Sequence, residues 1–286
     1  MGVLDTPVVR RVRQSPRLRP PAIAAYRLVD RLTPAPPGPR VVANSMPKSG
    51  THLLATLLDA LQPMRFAGRL VTFDIASTHA PAGPLNDLER TLRLLRPSHY
   101  VGAHLIRDEE VERRLIEDGA CLLTILRDPR AVVLSGTHYV LTATQLRDRD
   151  RALELFPDEE SILRAMVRGH GRPGEEFYFP EIGERYRAYA LWADSAAGLT
   201  VKFEDLVGDR GGGDAGVQVE RVADVMRHLG KDPGGASEVA DRLFSTRAIT
   251  FRSGRIDSWR DDMPAEIAAE IAERCSDSMA RLGYGV

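Results

Sequence analysis

Residues 120–126 (ACLLTIL) are apolar except for one threonine. A run this short cannot span a membrane, and it has no polar face to show to water. As a strand it must be covered on both sides, which happens where helices flank a parallel sheet. Arg127-Asp128-Pro129-Arg130 follows at once, with a helical pattern behind it. Strand, polar turn and helix in that order set the pattern for the whole chain.

The rhythm repeats. Residues 40–46 (RVVANSM), 99–105 (HYVGAHL) and 200–203 (TVKF) are short apolar runs that read as strands. Helical spacing is expected over 84–95, 108–117, 161–168, 181–197 and 217–229. Strands alternating with helices predict an α/β fold: one domain over residues 40–286, with a central parallel sheet flanked by helices. The glycine-rich stretch 209–216 (DRGGGDAG) reads as a surface loop. Residues 140–180 are charged and punctuated by Gly and Pro, with no strand signal, and are expected to form a lid over an acceptor site.

Residues 1–39 stand apart as a basic, proline-rich arm. The first 40 residues hold eight arginines against Asp5 and Asp30, a local net of +6. A solvated tail is the expected state, and peripheral contact with an anionic membrane surface is the sharper reading. The chain as a whole has 39 Lys+Arg and 40 Asp+Glu in 286 residues, so it is not expected to bind nucleic acid. No apolar run is long enough to span a membrane and no secretory leader is evident, which leads to an expected cytoplasmic location. Two cysteines, Cys121 and Cys275, are too few for a disulfide scaffold, and no His/Cys/Asp cluster has metal-ligand spacing, so no metal is expected.

The most informative segment is Pro47-Lys48-Ser49-Gly50-Thr51-His52, between the first strand and its helix. A glycine there lets backbone amides approach an anion. The helix N-terminus adds a positive dipole, and Lys48 adds a full charge. Ser49, Thr51 and His52 supply side-chain donors. The GxxxxGK[ST] pattern of an ATP- or GTP-binding loop is absent. A capped helix start, with Ser49 or Thr51 as the cap, is the plainer alternative. After the buried strand, Arg127 stands at the strand's C-terminal end, where open α/β sheets bind ligands. Ser135 follows eight residues later in the next helix.

In order along the chain, PKSGT (47–51), RDPRAVVLS (127–135), FEDL (203–206) and FRSGRIDSWR (251–260) resemble the signatures of the sulfotransferases that use 3′-phosphoadenosine 5′-phosphosulfate. The similarity runs from about residue 41 to 284. The resemblance implies a nucleoside-kinase-like, P-loop-related sulfotransferase fold, with that nucleotide as co-substrate and a hydroxyl of a small molecule, glycan or lipid as acceptor. It implies that Lys48, Ser49, Gly50, Thr51 and His52 wrap the 5′-phosphosulfate. Arg127 and Ser135 would hold the 3′-phosphate, Arg252, Ser253 and Gly254 would close over it, and Phe203 would pack near the adenine. Trp259 is expected to anchor the late loop.

The chain also departs from the family pattern. Leu53 stands where soluble members often carry a tryptophan, His52 replaces a threonine and Ser253 a lysine, and Gly102 stands where a second lysine is usual. The dimerisation signature of many animal members is not recognisable, so the oligomeric state is open. Sulfuryl transfer needs a cation at the leaving oxygen and a base for the hydroxyl proton. Lys48 suits the first role. For the second, His104 ends the strand HYVGAHL in an Ala-His-Leu context close to the family's Thr-His-Leu. His79 in a His-Ala-Pro loop is the runner-up, and Glu204 ranks third. A phosphoryl transferase of nucleotide-kinase type and a catalytically lapsed nucleotide- or partner-binding relative are the competing readings. Residues 64–83 and 140–180, with Phe66, Phe73, Tyr139, Phe177, Tyr178 and Phe179, are expected to line the acceptor site.

Overall fold

The computed structural model describes residues 25–26, 28–30, 32–74, 84–142, 153–173, 175, 178–243 and 255–285. Among them, strands and helices alternate from Val41 onward. Strand β1 (Val41–Ser45) leads to α1 (Thr51–Ala60), β2 (Arg65–Phe73), α2 (Pro84–Leu94) and β3 (His99–Leu105). Then come α3 (Glu109–Asp118), β4 (Cys121–Leu126), α4 (Pro129–Thr142), α5 (Glu159–Arg168), α6 (Ile182–Ala190) and β5 (Gly198–Lys202). Helices α7 (Phe203–Val207), α8 (Ala215–His228), α9 (Ala236–Ala240), α10 (Trp259–Asp262), α11 (Ala265–Arg274) and α12 (Ser276–Leu282) complete the order.

The five strands form one parallel sheet in the order β2-β3-β1-β4-β5. From β1 the chain winds to one side for β2 and β3, then crosses to the other for β4 and β5. The reversal falls at β1, so a ligand crevice is expected at the C-terminal ends of β1, β3 and β4.

The central strands are covered on both faces, as their apolar runs predict. Val41, Ala43, Leu123 and Ile125 pack in one layer with Leu54, Leu57 and Leu58 of α1 and Val222 and Val225 of α8. The alternate residues Val42 and Leu122 pack in the opposite layer with Leu88 and Leu92 of α2 and Val111 and Leu115 of α3. Helix α4 is buried along most of its length and is walled by α5, α6 and α11. It starts directly behind Arg127, so the packing that fixes α4 also fixes the end of β4.

Strand β2 is the element missing from the sequence expectation. RFAGRLVTF is interrupted by Gly68 and two arginines, and its ladder with β3 slips between Phe66 and Leu70. It is an edge strand, and edges carry bulges and charges where central strands cannot. The slip also accounts for Gly102 on β3: a Cβ built there would stand 3.2 Å from Leu70 Cδ1. A side chain at that position would need the Leu70 methyl, on an exposed side chain, to give by a few tenths of an ångström.

Of the segment expected to be a lid, residues 159–168 form α5. Its Ile162, Leu163 and Val167 are buried, and its start carries an Asp158–Ser161 capping box. Residues 143–152 lie outside the described residues. So do residues 1–24 of the basic arm. Residues 25–26 and 28–30 are tied to the body by Asp30, which pairs with His99 Nε2 at 2.9 Å and Arg96 at 3.5 Å, and by Tyr26 donating to the Phe66 carbonyl. Among the described residues no helix is long and apolar enough to cross a membrane.

Candidate functional site

The loop after β1 is shaped by backbone conformations that few residues tolerate. The Ser49 N–H donates to the Met46 carbonyl at 3.0 Å, and Lys48 sits at φ 75°. Gly50 caps α1 at φ 115°, ψ 28°. A Cβ on Gly50 would come within 2.8 Å of the Phe203 ring and 3.0 Å of Ile125 Cδ1, so both conformation and space require glycine. No side chain caps α1, and no acidic residue stands in its first turn. The helix dipole is therefore left for an anion rather than spent on a cap. The capped-start alternative does not describe this loop.

The Ser49 hydroxyl is fully buried and has no hydrogen-bond partner. A buried polar group left without a partner costs about 1–3 kcal/mol. An anionic oxygen in the loop would accept from it, so the residues present fit a phosphate or phosphosulfate.

His104, at the end of β3, is held by β1. Its Nδ1 lies 2.7 Å from the Ser45 carbonyl oxygen. A carbonyl can only accept, so Nδ1 carries the proton and the neutral ring keeps its lone pair on Nε2. The Ser45 hydroxyl is 3.3 Å from the same nitrogen and 2.7 Å from Thr51 Oγ1, which links the histidine to the start of α1. The residue after His104 is clamped as well. Asn44 Nδ2 donates to the Leu105 carbonyl, Asn44 Oδ1 accepts from the Leu105 N–H, and Trp192 Nε1 donates to the same carbonyl. Asn44, Ser45 and Trp192 hold the end of β3 in place, and the sequence reading missed them. The available signal was the polar pair Asn44-Ser45 closing an apolar strand.

Burial drives the His104 pKa below the ordinary value, partly offset by its bond to the Ser45 carbonyl and by Asp74; Arg185 and Lys48 push it further down. Asp74 and Arg185 form a buried bidentate ion pair that bridges the end of β2 to α6. Burial thus favours the neutral form of His104. Lys48 is lowered to about 8, by burial first and then by repulsion from Arg127. Two cations close enough to repel each other make this end of the sheet a candidate anion site.

Arg127 reaches this region from the end of β4. Its guanidinium lies 4.2 Å from the Phe203 ring centroid, and one terminal nitrogen donates to the Arg255 carbonyl at 3.0 Å. Its Nε is buried without a partner, the second orphaned donor at this end of the sheet. Phe203 therefore packs on Arg127 and Gly50. Ser135 is half-buried on α4, and His52 is exposed at the start of α1. Leu53 packs against the core.

No protein-family model matches the chain, and neither does any curated protein. Solved structures do. The crystal structure of mouse sulfotransferase SULT7A1 complexed with PAP is 15% identical and covers 86% of each chain, with a TM-score of 0.57. The chain has a sulfotransferase fold. The sulfotransferase domain of the Synechococcus PCC 7002 olefin synthase also matches, at 14% identity over 88% of this chain and 97% of that one, with a TM-score of 0.40.

Within that fold the remaining expected residues separate clearly. Glu204 accepts from the Asp128 N–H at 3.0 Å and from the Tyr284 hydroxyl at 2.7 Å, so both its oxygens are engaged in bracing the turn after β4. Burial pushes its carboxyl pKa up. Trp259 is buried between the guanidinium groups of Arg130 and Arg260, at 4.0 and 4.5 Å. Arg252, Ser253 and Gly254 lie outside the described residues, as does His79. Among the described residues, no three His, Cys, Asp or Glu side chains converge as a metal site would.

Proposed function

We propose that the chain transfers a sulfuryl group from 3′-phosphoadenosine 5′-phosphosulfate to a hydroxyl acceptor. The observation that carries this reading is the meeting, at one end of the sheet, of a buried unpartnered Ser49 hydroxyl, Lys48 and a His104 whose lone pair is on Nε2. The PAP complex of the mouse sulfotransferase supports the choice of donor.

In this reading Lys48, Ser49, Gly50, Thr51 and His52 hold the 5′-phosphosulfate at the start of α1. Arg127 and Ser135 take the 3′-phosphate, with Arg252, Ser253 and Gly254 of the late loop. The acceptor oxygen attacks sulfur in line. A bond forms between that oxygen and sulfur, and the bond from sulfur to the donor's bridging oxygen breaks. The hydroxyl proton passes to His104 Nε2, and the charge left on the departing phosphate is met by Lys48. The loop, the helix dipole and Lys48 are in place before reaction, so little reorganisation opposes the charge shift.

Transfer of labelled sulfate to a panel of phenols, sugars and lipid alcohols tests the reaction and finds the acceptor class. Labelling of no acceptor, with the donor bound, contradicts transferase activity. Arg127→Ala tests the nucleotide. It should weaken adenosine 3′,5′-bisphosphate strongly and 5′-AMP hardly at all, because the guanidinium–phosphate pair exists only for the first ligand. Equal weakening of both in calorimetry places Arg127 elsewhere.

A further inference from the structure

Lys48 is placed by more than its loop. Its Nζ lies 3.9 Å from the centroid of the Tyr139 ring on α4. Tyr139 stands four residues, about one helical turn, after Ser135, so both present the same face of α4. The ring is 38% exposed. Thus it covers the ammonium on one side while remaining at the mouth of the site. The charge facing Lys48 is Arg127, and the titratable group opposite is His104; no carboxylate faces it among the described residues. Burial and a second cation both disfavour the protonated lysine, and a source of negative potential opposes them. The face of an aromatic ring supplies one, worth more as water is excluded.

We infer that Tyr139 is a positioning residue for Lys48, holding its ammonium charged and aimed across the strand ends through a cation–π contact. The inference rests on the role proposed for Lys48 but makes a claim about the free protein that can be tested without turnover. The π face is the active feature, and the phenol hydroxyl is not. Phenylalanine should therefore substitute and leucine should not. The positive φ at Lys48 fixes where its side chain starts, and the ring fixes where it ends.

The test is the pH dependence of Lys48 acylation in the unliganded protein, followed by peptide mass spectrometry. In the wild type, labelling should rise through about pH 8. Tyr139→Leu should move that rise down by about half a pH unit to one unit, the equivalent of losing a partly desolvated cation–π contact. Tyr139→Phe should leave it in place. The alkaline limb of kcat/KM, which reports the free enzyme, should follow the same order. Equal shifts in both variants, or none in either, overturn the inference. A labelling shift with an unmoved alkaline limb supports the contact and instead overturns the role of Lys48 at the leaving oxygen.

Discussion

Replacing His104 by glutamine should lower turnover by about 10²–10⁴-fold, the usual contribution of a positioned base, with donor binding nearly unchanged. Glutamine is the sharper substitution. Its amide can still donate to the Ser45 carbonyl that holds Nδ1 of the native ring, but it offers no basic nitrogen in place of Nε2. The loss then reports proton transfer rather than a displaced side chain. The pH profile gives an independent reading. His104 must be neutral to act, and burial holds its pKa below the ordinary value of 6.5. Activity should be present above that lowered pKa and fall as pH drops through it. An acidic limb well above pH 6.5 in kcat/KM, or near-wild-type turnover in the glutamine variant, would move the base to another residue. His79 is the next to test by the same substitution.

Lys48→Ala should reduce kcat by about 10²–10³-fold, by analogy with deleting one preorganised donor from an oxyanion site. The side chain is half-buried and mutually repelled by Arg127, so its charge is held in a place that favours an anion. The fold should survive, because the loop conformation depends on Gly50 and on the turn closed by Ser49 and Met46. The sign of the pH effect is opposite to that of His104. Lys48 must be charged, so activity should fall as pH rises through about 8. Turnover that survives the alanine substitution would detach Lys48 from the leaving oxygen.

In the proposed mechanism these two groups define a window in which His104 is neutral and Lys48 is charged. Both shifts come chiefly from burial at the same end of the sheet. The same desolvation that weakens water's hold on the charges strengthens what the charges do to a bound anion.

Much of this was legible in the sequence, for identifiable reasons. Strands β1, β3 and β4 were legible as short apolar runs because a strand buried on both faces tolerates little else; β5 lies at the sheet's other edge, and only part of it, Thr200–Lys202, was read from the sequence. Strand β2 was not, because an edge strand with a slipped ladder can carry Gly68, Arg69 and an exposed Leu70. The turn and helix start after β1 were legible because Gly50 stands directly before the helical pattern. The histidine's support was not. Ser45 and His104 are 59 positions apart, and only the β1–β3 register brings them together. The same holds for Asp74 and Arg185, and for Tyr139 over Lys48. Glu204 is a carboxylate whose partners, Asp128 and Tyr284, come from two distant segments, and no local spacing announces that it is a brace. The place of Gly102 was read from the family pattern as a missing cation. The structure adds that a Cβ there would stand 3.2 Å from a Leu70 methyl.

The central claim is that this end of the sheet binds a nucleotide carrying phosphates at both the 3′ and 5′ positions. Thermal unfolding of the full chain with adenosine 3′,5′-bisphosphate, ATP or GTP tests it without knowledge of the acceptor. A ligand that binds only the folded state raises the midpoint by mass action. The bisphosphate should raise it in a concentration-dependent way, while ATP and GTP leave it unchanged. A rise with ATP or GTP and none with the bisphosphate would contradict the account and point to phosphoryl transfer instead.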